Sequence, residues 1–81
     1  MQENRIKLNE MGERLRDLRL DENMTQQMLA KRWNCERTLI SAHENGKKCI
    51  TVDRLVDYIN TFHVSAEYIL FGKEQENNVL L

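Results

Sequence analysis

A face of hydrogen-bond donors, rather than a catalytic set, is what the residue spacing of this 81-residue chain offers. At 3.6 residues per turn, Arg37, Thr38, Ser41 and Ala42 fall on the outward side of a short helical segment whose Ile40 and His43 point inward. The Arg37 guanidinium can donate two hydrogen bonds to guanine O6 and N7, and Ala42 can meet a thymine methyl. Thr38 and Ser41 can bond to several bases or to phosphates. Asn45, Lys47 and Lys48 follow directly and can reach a phosphate backbone; a solubilising lysine pair is the other reading of the last two. Gln26 opens the preceding helix, where free backbone N–H groups favour an anion. No Ser/His/Asp set, carboxylate pair or phosphate-cradling glycine loop accompanies these residues, so an enzyme is not expected. Cys35, Cys49, His43 and His63 can be drawn as a zinc quartet. Neither Cys, however, has a ligand partner two to four residues away. Two reduced, partly buried thiols are the better reading, with no metal and no cofactor.

The elements that must position this face can be read from local signals. Thr25 caps a helix that buries Leu29, Ala30 and Trp33. Asn34-Cys35-Glu36 make a turn, with Asn34 tolerant of the left-handed conformation. A further helix then runs from about Arg37 to Asn45 and stops at Gly46. Two short helices joined by a tight turn form a helix-turn-helix, whose second helix is shaped to enter the DNA major groove. Before it, a helix starts at Asn9 or Glu10, carries Met11, Leu15 and Leu18 at i, i+4, i+7, and ends at Asp21-Glu22-Asn23. After it, Thr51 caps a fourth helix with Asp53 in its first turn. Its stripe is Val52, Leu55, Val56 and Ile59. Phe62 and Val64 continue the core, and Ser65 caps a short fifth helix with Tyr68, Ile69 and Leu70 that closes at Gly72. The expected architecture is all-α and compact, with five helices. A flexible N-terminal arm occupies residues 1–8, the helix-turn-helix domain 9–72, and a tail 73–81.

The run Thr25-Gln26-Gln27-Met28-Leu29-Ala30, followed by Ile40-Ser41-Ala42-His43-Glu44-Asn45-Gly46-Lys47, resembles the lambda-repressor-like family of DNA-binding domains, the Cro and repressor type. The resemblance spans about Gly12 to Gly72. It implies that residues 37, 38, 41 and 42 include the base readers and that Gln26 binds phosphate. It also implies that Arg19 pairs with Glu44, fixing the reading helix against the first. The sequence departs from the family at Glu36, which stands where Ser or Thr usually caps the reading helix. A carboxylate there favours the helix dipole but repels a DNA backbone. Asn34 replaces the usual turn glycine, Ile50 a frequent proline, Trp33 an aliphatic residue, and His43 a less polar one. Trp33 and His43 read as packing residues rather than ligands.

Composition agrees with a small domain that binds an anionic partner on one side only. Hydrophobic residues make up 41% of the chain, proline is absent, and the formal net charge is −1. Between Gln26 and Lys48, five cations face Glu36 and Glu44 alone, while the rest carries seven cations against eleven carboxylates. The motif is thus basic within an acidic frame. No apolar run reaches membrane-spanning length and no secretory signal is visible, which implies the cytoplasm. The leading expectation is a sequence-specific transcriptional regulator of prokaryotic or phage repressor type. It would bind double-stranded DNA as a homodimer through Tyr68, Phe71 and Val79-Leu80-Leu81, although burial within the monomer is the other reading of Tyr68. The alternative is a protein-interaction module or antitoxin-like partner that keeps the fold with weak DNA binding.

Overall fold

The computed structural model describes residues 5–73. Five helices follow in order: α1 (Leu8–Asp21), α2 (Gln26–Arg32), α3 (Arg37–Glu44), α4 (Val52–Phe62) and α5 (Ala66–Phe71). Three start where a hydroxyl stands ready to accept an otherwise unpaired backbone N–H. Thr25 Oγ1 accepts from Met28 N at 3.0 Å, Thr51 Oγ1 from Arg54 N at 3.1 Å and Ser65 Oγ from Tyr68 N at 2.9 Å. Helix α3 begins after Glu36, whose side chain makes no capping bond. Helix α1 begins at Leu8, one or two residues earlier than its pattern predicts, so Leu8 belongs to the helix and not to the arm. Residues 5–7 of the arm are described and non-helical. Residues 1–4 and most of the expected tail, including Val79-Leu80-Leu81, lie outside the described residues.

The core is built from Met11 and Leu15 of α1, Leu29 and Ala30 of α2, Ile40 of α3, Ile50, Tyr58 of α4 and Ile69 of α5. Helix α3 packs on both α1 and α2. Its approach to α1 depends on Gly12, because a Cβ there would strike the backbone oxygens of Glu44 and His43, the latter at 2.7 Å. No side chain can be accommodated against fixed carbonyls, so a glycine sits mid-helix despite its cost of about 1 kcal/mol relative to Ala. The turn between α2 and α3 passes through Asn34 at φ +55°. Helix α3 is stopped by Gly46 at φ +74°, pressed against Asn9.

Helix α4 differs from its sequence pattern. Of the stripe expected to face the core, Val52 and Val56 are instead 76% and 44% exposed. Leu55 and Ile59 are half-buried, and the side chain that α4 buries completely is Tyr58. Tyr58 wins because it meets the face of Trp33 edge-on, ring centroids 4.6 Å apart, and stacks on Phe62 at 5.8 Å. Aromatic burial of this size outweighs two valines. Trp33 is itself half-buried rather than buried, and donates from Nε1 to Thr61 Oγ1 at 3.3 Å. Of the two thiols, Cys35 is half-buried, but Cys49, in the loop between α3 and α4, is exposed rather than partly buried.

Candidate nucleic-acid interface

Helix α3 splits its residues between core and solvent as an amphipathic helix must. Ile40, His43 and Glu44 are buried, whereas Arg37 and Thr38 are exposed and Ser41 and Ala42 half-exposed. The outward row continues past the helix end through Asn45, Lys47 and Lys48, all exposed. Asn45 Nδ2 donates to Ser41 Oγ at 3.2 Å, which orients two neighbouring polar groups of this row.

Behind the row lies a chain of four side chains. Arg19 donates to Glu44 from Nε at 2.7 Å and from Nη2 at 2.8 Å, a bidentate pair with side chains 7% and 1% exposed. Arg19 Nη1 donates to the Met24 carbonyl at 2.7 Å. Gln26 Nε2 donates to Glu44 Oε1 at 3.0 Å, and Gln26 Oε1 accepts from Arg37 Nη1 at 3.1 Å. Gln26 therefore uses both ends of its amide to join the buried pair to the exposed guanidinium. The sequence carried no signal for this junction, because Gln26 and Arg37 are eleven positions apart on different helices and share no period.

Two buried groups shape the environment of α3. Burial holds the His43 imidazole below its ordinary value, and the charges of Arg54 and Lys48 push the same way. Burial raises the Tyr58 hydroxyl well above the usual phenol range, and the nearby Glu44 carboxylate adds to the rise. Both groups are thus neutral near pH 7. His43 Nδ1 and Tyr58 Oη have no hydrogen-bond partner among the described residues. No three His, Cys, Asp or Glu side chains gather as a metal would require, again among the described residues. No described helix is long and apolar enough to cross a membrane.

Two short packed helices joined by a tight turn, the second presenting an exposed polar row, define a helix-turn-helix module. The sequence profile described as "Helix-turn-helix domain" matches residues 12–75. The chain belongs to that family, one of DNA-binding modules without enzymatic chemistry. Among curated proteins it is 35% identical over 65 residues to the HTH-type transcriptional activator BcrR of Enterococcus faecalis. The match covers 80% of this chain but 32% of that protein, so the chain spans about a third of the relative's length. Among solved structures, the BldD DNA-binding domain of S. venezulae superposes with a TM-score of 0.68 at 18% identity. That match covers 79% of this chain and 96% of the other, and it shows a shared fold.

Proposed function

We propose that this protein is a sequence-specific transcriptional regulator that inserts α3 into the major groove. Arg37, Thr38, Ser41 and Ala42 read bases, while Gln26, Asn45, Lys47 and Lys48 hold phosphates. The observation that carries the reading is the restraint on Arg37. A guanidinium in the first turn of an exposed helix, steadied by Gln26 and through it by Glu44 and Arg19, is prepared to engage a guanine edge. Four of its five donors' worth of capacity remain for DNA. Relatives named as a transcriptional activator and a DNA-binding domain support the same class. Repressor action is the direction the lambda-repressor resemblance suggests.

The protein acts as a homodimer in this proposal, because one reading helix specifies too few base pairs. Tyr68 is half-buried within the monomer, while Phe71 is 37% exposed. The exposed Val52 and Val56 of α4 add an apolar surface that a second copy can cover. A two-fold dimer fits a palindromic site with half-site centres ~34 Å apart.

The test compares Arg37→Ala with Lys47→Ala on a site selected from random DNA and on a scrambled duplex. Arg37→Ala should cost about 1–3 kcal/mol on the selected site and relax one base position. Lys47→Ala should weaken both duplexes alike and flatten the salt slope by roughly one unit. Equal weakening of both duplexes by Arg37→Ala would move base reading to Thr38 and Ser41. No effect from either variant would favour the second reading, a protein-interaction module. The exposed Glu36 at the start of α3 and the exposed Met28 and Leu20 are the features on its side.

A further inference from the structure

The described chain has a second cationic site, away from α3. A cavity of about 170 Å³ is lined by Arg5, Lys7, Glu10, Arg14, Leu70, Phe71 and Lys73. Four cations thus surround one carboxylate at the meeting of the α1 N-terminal end and the α5 C-terminal end. The sequence gives no sign of this cluster, since its parts come from both ends of the domain. Arg14 is anchored there: its Nε donates to the Ile69 carbonyl at 3.0 Å, and its Nη1 lies 2.9 Å from where a Cβ on Gly72 would stand. A guanidinium pinned between a carbonyl and a glycine has lost most of its rotamer freedom already, so it can bind an anion without ordering itself first. Leu70 and the exposed Phe71 supply an apolar wall beside the charges.

The faces of α1 set the cavity apart from the side on which α3 packs. Glu10 and Arg14 stand four residues apart and share one side of α1. Gly12, between them, is turned roughly 200° from each and faces the α3 backbone. The α3 backbone therefore packs on the side of α1 opposite Glu10 and Arg14.

We propose that this cavity binds a small organic anion, a carboxylate or phosphate monoester bearing an apolar group. The anionic head sits among Lys7, Arg14 and Lys73, with the apolar part on Leu70 and Phe71. The site does not depend on α3 reading DNA, and it places Phe71 beside a ligand rather than in a dimer seam, which is left to the exposed Val52 and Val56. Amide chemical shifts of the whole chain, titrated with phenyl phosphate, inorganic phosphate and sodium chloride at matched ionic strength, test it. Saturable shifts at Glu10, Arg14, Leu70 and Phe71 are expected, with dissociation constants on the order of millimolar. Phenyl phosphate should bind about fivefold more tightly than inorganic phosphate, through contact with the apolar wall. Lys7→Gln should weaken both about threefold, the size of an exposed charge contact. Phe71→Ala should abolish the preference while leaving inorganic phosphate unchanged, and the same spectra report whether each variant is folded. Adding duplex DNA should leave the phenyl phosphate shifts in place. The proposal is overturned by shifts that merely follow ionic strength, by equal binding of the two phosphates, or by displacement of phenyl phosphate by DNA. The last outcome would assign these cations to a nucleic-acid backbone instead.

Discussion

Replacing Arg19 by Met would expose how much of the fold rests on one ion pair. The guanidinium makes two bonds to Glu44 and one to the Met24 carbonyl, all at 2.7–2.8 Å. Its loss leaves a carboxylate that is 1% exposed, supported by Gln26 Nε2 at 3.0 Å. Stranding one member of such a pair costs about 3–5 kcal/mol. A domain of this size has roughly 4–12 kcal/mol in total, so Arg19→Met should bring it close to unfolding. Glu44→Leu should cost less, because the long Arg19 side chain keeps the Met24 carbonyl and can lift its charge toward water. The double variant should recover much of the loss, since neither unpaired charge remains. Urea denaturation of the four proteins, with m held common, gives the coupling energy. A value of at least ~2 kcal/mol is expected. Additivity within ~0.5 kcal/mol would refute the reasoning, since it would mean that the pair does not act as a unit.

Three further outcomes follow from the same geometry. Gly12→Ala should destabilise by about 2–3 kcal/mol in urea, because its Cβ meets α3 carbonyls that cannot rotate away; an unchanged midpoint would show that α1 and α3 can slide apart freely. The folded-state pKa of His43 lies below its unfolded value near 6.5, so its contribution to stability is present above that pH and is lost as pH falls through the folded pKa. Urea midpoints measured from pH 8 to pH 4.5 should decline over that window, and His43→Leu should remove this part of the decline. Val52→Glu combined with Val56→Glu should leave monomer stability within about 0.5 kcal/mol, as surface changes do. The same change should reduce dimer mass in sedimentation on operator DNA; intact dimers would place the interface elsewhere.

Legibility in the sequence tracks how local the governing physics is. Thr25, Thr51 and Ser65 each satisfy an N–H three residues ahead, so one hydroxyl at the right place declares a helix start. Asn34 and Gly46 declare turns for a similarly local reason, their tolerance of positive φ. His63 also takes φ +58° at the α4 C-terminus, yet a histidine advertises no such turn. The facing of α4 was misread because periodicity defines a stripe without saying what will cover it. Trp33 and Phe62 decide that question, and they lie on other elements or a turn away. Gly12 was silent for the same reason: a helical glycine does not name the backbone that approaches it.

The placement of Gln26 shows how a module this small can restrain a side chain on its outer surface. Arg37 stands on an eight-residue helix and is exposed to solvent, conditions under which a long side chain samples many rotamers. Ordering it on a partner costs up to about 2 kcal/mol. Its bond to Gln26 removes part of that freedom before any partner arrives. Gln26 can act in this way because its other end is held by Glu44, and Glu44 is held twice by Arg19 from α1. Each of the three links is short and crosses between helices, from α1 to α3, on to α2 and back to α3. Glu44 and Arg37 both stand on α3, so a shift of α3 relative to α1 would stretch the buried pair and carry Arg37 with it. The pair thus resists the helix shift that would displace the outermost donor. An uncharged core contact could hold the helices together equally well, but it could not pass orientation to a surface guanidinium through directional bonds.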